Sequence, residues 1–189
     1  DPEMSRGLGD VYKRQVMDSK VSFYALCALM FSVGLSVGND PQTLKNFRSL
    51  NPRLVFLPIM TILGTLAGSA AVSLILTHRS LTDCLAVGSG FGYYSLSSIF
   101  ITEYKGAELG TIALLANISR EILTLLAAPL LVRWFGNLAP ISAGGATTMD
   151  TTLPIITRTA GQQFVVVSIF HGFVVDFSVP FLVTLFCSI

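Results

Sequence analysis

Long apolar runs, separated by short polar stretches, make up almost the whole chain. A hydrocarbon core of about 30 Å needs about 20 apolar residues in a helix, and five runs have roughly that length. They are residues 21–38, 54–76, 81–102, 109–135 and 164–187. A sixth run, residues 138–159, is apolar at both ends and polar in its middle. Because irregular backbone cannot face lipid, this run is predicted to form a broken helix or a re-entrant hairpin.

The pattern predicts an all-α integral membrane protein of about six transmembrane segments, one or two of them discontinuous, as in transporters. The composition agrees, since 52% of the residues are hydrophobic and only 12% are charged, about half the charged fraction of soluble domains. A net charge of +1 gives no reason to expect a nucleic-acid partner. Membrane lipid is the expected surrounding.

Residues 1–16 differ from the rest, because they show no apolar periodicity and lack the apolar core of a signal peptide. We interpret them as a non-native tail, and residues 17–189 as a single transmembrane transport domain. Lys and Arg in the short loops favour a topology with residue 17 outside. Both termini are then outside if run 138–159 crosses the membrane, whereas a re-entrant run would place the C-terminus inside.

Two ionisable residues, Arg120 and Glu121, lie in the middle of run 109–135. Placing either at the bilayer centre costs about 3 kcal/mol on insertion scales. Glu121 shares a helix face with Asn117 and Thr124, so this face is predicted to line a cavity in which Glu121 couples transport to protons and Asn117 contacts substrate. Arg120 points elsewhere and is predicted to pair with another segment or to bind a substrate carboxylate. The alternative is a buried ion pair that only fixes helix packing.

The polar middle of run 138–159 reads SAGGATTMDTTLP. Gly144 and Gly145 permit unwound backbone, and Pro154 suits the first turn of a resuming helix. Asp150 would then bind cations or protons, and the new helix N-terminus would bind anions. A surface loop capped by Asp150 is the alternative. Three hydroxyl groups here are predicted to contact substrate: Thr147, Thr148 and Thr151.

A third polar stretch, GSGFGYYSLSS, lies inside run 81–102. Its glycines, Gly88, Gly90 and Gly92, favour close packing of a partner helix. Its hydroxyl groups suit a substrate path equally well, and the candidates are Ser89, Tyr93, Tyr94 and Ser95.

The last run contains two further polar residues, predicted as auxiliary groups. His171 is predicted to hydrogen bond between helices or to carry protons. Asp176 is predicted to relay protons or to pair with Arg120. The chain has no GxSG, GxGD or HExxH motif, which argues against an intramembrane protease, and the scattered cysteines predict no metal site.

Three motifs together, SGFGYYSLSS (89–98), NISREI (117–122) and GATTMDTTLPIITRT (145–159), followed by HGF (171–173), resemble the bacterial lysine exporter (LysO) family. The resemblance implies a secondary active transporter that exports L-lysine and toxic lysine analogues across the bacterial inner membrane. It implies no cofactor beyond a proton or sodium gradient. It also implies that intramembrane carboxylates are essential, and by motif these are Glu121 and Asp150.

Full-length members of that family carry a further N-terminal block of membrane segments. The resemblance therefore implies that this chain is a C-terminal portion. It is then either a truncated piece of the full-length protein, or a polypeptide that works with the missing half as a separate polypeptide or as a homodimer. The expected mechanism is lysine/proton antiport, in which Glu121 and Asp150 hold either protons or lysine. Two alternatives stay open: a sodium or cation/proton antiporter, and a membrane assembly subunit that transports nothing.

Overall fold

The computed structural model describes residues 52–76 and 78–189. The predicted tail, 1–16, and the first predicted segment, 21–38, lie outside the described residues. Short 3-10 turns at Pro52–Phe56, Gly145–Met149 and Gln162–Phe164 connect the helices. The α-helices are α1 (Leu57–Ile75), α2 (Leu81–Gly88), α3 (Tyr94–Lys105), α4 (Ala107–Phe135), α5 (Ala139–Gly144), α6 (Leu153–Ala160) and α7 (Val165–Ser188).

Three stretches of the described chain are long and apolar enough to cross a membrane: Leu54–Ile75, Ala107–Phe135 and Gln162–Ser188. They correspond to α1, α4 and α7. Many of their large apolar side chains are exposed, among them Leu126 on α4 and Phe181 on α7, as expected where lipid covers the helix. The predicted all-helical membrane fold is confirmed.

Run 81–102, predicted as one membrane-crossing segment, folds instead as two short helices, so that prediction is wrong. A turn at residues 89–93 separates α2 from α3. The Lys105 ammonium at the end of α3 lies 3.7 Å from the Asp83 carboxylate at the start of α2. The two arms therefore enter and leave on the same side, and we call this re-entrant unit hairpin 1 (residues 81–105).

The turn of hairpin 1 has a backbone that no α-helix accommodates. Phe91 has φ +46° and Gly92 has φ +92°, and both values lie outside the right-handed helical region. At the other end of the first arm, the Ser80 hydroxyl accepts a hydrogen bond from the Asp83 amide at 3.0 Å and so caps α2. The local sequence therefore both starts α2 and reverses the chain after it.

Run 138–159 is re-entrant, which is one of its two predicted forms. Ile141 in α5 and Ile156 in α6 are fully buried in one apolar cluster, together with Val167 near the start of α7. Both arms therefore reach the same end of the molecule. We call this unit hairpin 2 (residues 139–160).

The two hairpins enter from opposite sides. Arg79, just before α2, pairs with Glu108 in the first turn of α4, and we call this side A. Val132, near the other end of α4, packs against the apolar cluster of hairpin 2, and we call this side B. A long helix followed by a hairpin thus occurs twice with opposite orientation, an inverted repeat of the kind that transporters build around a central site.

Candidate functional site

The turns of the two hairpins meet near the middle of the long helices. The Ala146 amide donates to the Phe91 carbonyl at 2.9 Å. Gly145 has φ +64°, and a Cβ at this position would lie 2.2 Å from the same carbonyl oxygen, so only glycine fits. We call residues 89–93 tip 1 and residues 145–152 tip 2.

The other predicted glycines also lie at close contacts. A Cβ on Gly88 would meet a hydroxyl group of α1 at 1.9 Å, and one on Gly90 would meet the Asn117 amide at 2.4 Å. Gly92 faces the Gly144 carbonyl, 3.2 Å from where its Cβ would be. The GxGxG spacing therefore lets tip 1 contact α1, α4 and hairpin 2 together.

Asn117 of α4 fixes tip 1. Its Oδ1 accepts a hydrogen bond from the Gly92 amide at 2.8 Å. Its Nδ2 donates to the Val87 carbonyl, at the C-terminal end of α2, at 3.2 Å. The side chain is 3% exposed, so both bonds are shielded from water and lipid.

Arg120, one turn further along α4, fixes hairpin 2. Its Nε donates to the Ala143 carbonyl at 2.8 Å and its Nη2 to the Ser142 carbonyl at 3.1 Å. These carbonyls belong to the last turn of α5, where helical carbonyls lack partners and carry negative partial charge. The guanidinium also lies 5.7 Å from the centre of the Phe91 ring. A further role of Arg120 in substrate binding stays a prediction.

The four half-helices thus end at the tips in two ways. The C-terminal ends of α2 and α5 are bonded by side chains of α4. The N-terminal ends of α3 and α6 carry no side-chain cap, and α6 has Pro154 in its first turn. Two helix N-termini without a side-chain cap, each with positive partial charge, therefore lie at the junction.

His171 of α7 links tip 2 to α1. Thr148 Oγ1 lies 2.8 Å from the Gly145 carbonyl and 2.9 Å from the Ser168 carbonyl. It must donate to one of them, and therefore accepts from His171 Nδ1 at 3.2 Å. In a neutral imidazole, Nε2 is then the acceptor toward Thr61 Oγ1 at 2.9 Å. His171 is fully buried and acts as an interhelical hydrogen bonder, one of its two predicted roles.

The remaining predicted hydroxyl groups divide between bonded and exposed ones. Thr147 Oγ1 donates to the Gly144 carbonyl at 3.0 Å, and the Ser89 hydroxyl donates to the Leu85 carbonyl at 2.7 Å. Both side chains hold their own turns together. Tyr94 and Ser95, in the first turn of α3, are exposed.

The three intramembrane carboxylates lie in different surroundings. Glu121 is half-buried and, within the described ranges, forms no hydrogen bond or ion pair. Asp150 is exposed in tip 2, where its Oδ1 accepts from the amide and hydroxyl of Thr151. Asp176 is 6% exposed, and neither of the two ion pairs among the described residues includes it, so it does not pair with Arg120.

A cavity of about 480 Å³ lies between α1, α2 and α4. Asn117 and Arg120 form part of its wall at the level of the tips, while Arg79 and Asp83 line it towards side A. The cavity is mostly apolar elsewhere and has a volume typical of small-molecule sites. It leads from side A to the hairpin junction.

Sequence reasoning missed several members of this arrangement. Thr61 and Ser142, whose hydroxyl groups lie 3.0 Å apart, extend the His171 network, and the Phe91 carbonyl joins the tips. A lone hydroxyl in an apolar helix and a backbone carbonyl give no sequence signal. No group of residues in 52–76 and 78–189 is arranged to hold a metal ion.

Comparison with known proteins gives a consistent result. A family model described as "Lysine exporter LysO" matches residues 6–187. The protein named lysine exporter LysO in Escherichia coli (strain K12) is 36% identical over 170 residues, which cover 90% of this chain and 56% of that protein. A protein named putative lysine exporter in Haemophilus influenzae is 35% identical over 167 residues, 88% of this chain and 84% of that protein. No solved structure matches.

Proposed function

This chain belongs to the lysine exporter LysO family, and we propose that it forms the transport core of an exporter of L-lysine and its toxic analogues. The observation that carries the proposal is the meeting of two opposed re-entrant hairpins beside carboxylates, halfway along α4 and α7. Unwound backbone and half-helix ends at such a depth serve substrate binding in transporters. We place the substrate site at the junction of tip 1 and tip 2.

The groups at the junction are suited to lysine, a zwitterion whose side chain carries an additional positive charge. The N-terminus of α6 supplies positive partial charge for the lysine carboxylate, while the amides of Thr151, Thr152 and Leu153 donate within tip 2. We assign the carboxylate to this helix end rather than to Arg120, because the short hydrogen bonds of that guanidinium go to backbone carbonyls. Carboxylates at the same depth attract the ammonium groups.

We further propose that transport is lysine/proton antiport through Glu121 and Asp150. A protonated carboxyl group is neutral and no longer holds an ammonium ion, so a proton and lysine compete for the same charge. Binding protons from outside then releases lysine, and deprotonation inside restores the site. The absence of a fixed partner for Glu121 within the described ranges supports a group whose charge is free to change.

A sodium antiporter is less well supported. Sodium sites in discontinuous helices use freed carbonyls at half-helix C-terminal ends. Here Asn117 and Arg120 donate to the carbonyls at both such ends. The two donors leave these carbonyls little capacity for a cation.

We propose that side B faces the cytoplasm. Arg133 and Arg158 are exposed towards side B, and residues 45–53, just before α1, hold three more basic residues. The described basic residues of side A include Arg79 and Lys105, and both are paired with carboxylates. The positive-inside rule then assigns side B to the cytoplasm, and the C-terminal end of α7 to the outside.

The test is resistance to a toxic lysine analogue in a bacterium that lacks its own exporter. Residues 17–189 are expressed alone, and then with the N-terminal block of a full-length relative on a second polypeptide, because the chain spans 56% of the E. coli relative's length. Resistance in either case, abolished by Glu121→Gln or Asp150→Asn at unchanged protein level, is the expected result. Absence of resistance in both cases contradicts lysine export. Salt or pH sensitivity instead of analogue sensitivity indicates a cation antiporter, and no phenotype indicates an assembly subunit.

A further inference from the structure

Asp176 is a carboxylate in the middle of α7 that the proposed antiport mechanism does not use. It is 6% exposed, and within residues 52–76 and 78–189 it forms no hydrogen bond or ion pair. No fully buried side-chain polar atom among the described residues lacks a hydrogen-bond partner, so the carboxylate oxygens of Asp176 keep some accessible surface. A carboxylate that is largely removed from water, but whose oxygens stay accessible and unpaired, is suited to a bound cation.

The position of Asp176 connects it to both hairpin tips. Gly172, one turn earlier on the same face of α7, is so close to tip 2 that a Cβ there would lie 2.8 Å from Thr148 Oγ1. Asp176 interacts electrostatically with Asp150 of tip 2. Tyr93 of tip 1 interacts with both carboxylates. Because α7 packs against tip 2 at Gly172 and the two tips are bonded to each other, these three oxygen-bearing side chains lie near the junction, close enough for their charges to interact.

We infer that Asp176, Asp150 and Tyr93 together bind the side-chain ammonium group of lysine. A primary ammonium has three N–H donors and no acceptor, and these three side chains offer it one acceptor group each. The inference rests on the proposed function and adds to it the residues that select the substrate.

The side-chain ammonium fits this site better than the α-ammonium does. The α-ammonium is attached to the same carbon as the substrate carboxylate. Two protein carboxylates that bound this ammonium would repel that substrate carboxylate. The α-carbon and four methylene groups separate the side-chain ammonium from that carboxylate. The carboxylate is then free to reach the N-terminus of α6 while the ammonium lies among the three oxygens.

This arrangement also makes Asp176 a specificity-determining residue. Norleucine has the same chain length as lysine but ends in a methyl group, so it would leave the two carboxylates of the site without a compensating positive charge. Sites that hydrogen bond a polar substrate group discriminate strongly against the analogue that lacks it. The wild-type protein is therefore expected to bind lysine and to reject norleucine.

The experiment measures the unfolding temperature of the purified full chain over a range of lysine or norleucine concentrations, since a ligand that binds the folded state raises it. Asp176→Asn removes the charge and keeps the shape of the side chain. We expect this variant to unfold at the wild-type temperature or above without ligand, because an unpaired charge in largely apolar surroundings is gone. It should need about tenfold more lysine or greater for equal stabilisation, since a hydrogen bond to a charged group is lost.

Glu103→Gln is the matched control, because Glu103 is an exposed carboxylate near the end of α3, and it should respond to lysine as the wild type does. Tyr93→Phe removes only the third acceptor and should weaken lysine binding about 2- to 10-fold. It tests the same site if Asp176→Asn does not fold.

Three results would overturn the inference. The first is an equal lysine response in wild type, Asp176→Asn and Tyr93→Phe, which leaves the proposed function standing. The second is a large loss of stability in Asp176→Asn without ligand and an unchanged lysine response in Tyr93→Phe, which indicates a structural carboxylate. The third is a wild-type protein that lysine does not stabilise at any concentration, which counts against the proposed function as well.

Discussion

Replacing Asn117 with alanine should release tip 1 from α4. The Gly92 amide has no other partner within the described ranges than Asn117 Oδ1, and Gly92 is buried. Leaving a buried amide unpaired costs about 1–3 kcal/mol, and losing the bond to the Val87 carbonyl adds about 1 kcal/mol. The free energy of unfolding should therefore fall by about 2–4 kcal/mol.

A buried cysteine thiol, that of Cys187, allows a direct assay of that loss. Cys187 is 6% exposed at the end of α7, so a thiol-reactive fluorophore reports unfolding of the purified protein as the temperature rises. For a chain of this size, 1 kcal/mol corresponds to about 2–4 °C. Asn117→Ala should therefore lower the midpoint by about 5–15 °C.

Asn137 supplies the matched control, because it is exposed in the loop after α4. Asn137→Ala should change stability by less than about 0.5 kcal/mol. If Asn117→Ala unfolds at the same temperature as Asn137→Ala, then tip 1 is not held by α4, and the assignment of Asn117 as its anchor is wrong.

Substitutions at three further positions test the contacts of hairpin 2 by the same assay. Gly145→Ala places a Cβ 2.2 Å from a carbonyl oxygen of tip 1 and should unfold well below Gly68→Ala, whose Cβ meets no atom within 4 Å; equal midpoints would refute the contact between the tips. His171→Ala should cost about 1–3 kcal/mol by leaving buried hydroxyl groups unpaired, whereas the exposed His78→Ala should be neutral, and equal losses would refute the link to α1. Arg120→Met should destabilise the protein by a similar amount. Arg120→Lys should have an intermediate stability, because lysine lacks the forked donors. A stable Arg120→Met protein that fails to export would instead favour substrate binding by Arg120.

Much of the candidate site could be predicted from the sequence, because burying polar groups in an apolar run has an energetic cost. Asn117, Arg120, Gly145 and His171 stood out because each is polar or unusually flexible within an apolar run. The structure brings all four to the contacts of the hairpin tips. Their individual partners were not predictable, because most of those partners are backbone carbonyls or amides, which every residue carries.

The reversal of hairpin 1 was missed for a geometric reason. The length criterion for a crossing helix counts apolar residues, and two short arms in series contain as many as one long helix. Both arms also face apolar surroundings, so periodicity does not change at the turn. Only the sequence Gly90–Phe91–Gly92 marks it, and glycines were equally consistent with helix packing. The inverted repeat could not be predicted from the sequence, because the two hairpins share an architecture and not a sequence pattern.

The position of Asn117 and Arg120 on one helix limits how this protein can open. The residues are one turn apart on α4, and each bonds the C-terminal end of a different half-helix. The tips are also bonded to each other through Ala146 and Phe91. Opening one tip alone would break hydrogen bonds at two places, whereas moving the two tips together breaks neither. Tip 2 is also bonded to α7 and α1 through Thr148 and His171, so alternating access is expected to keep the two tips together. A covalent cross-link between tip 1 and tip 2 should therefore leave export intact, and loss of export on cross-linking would refute this expectation.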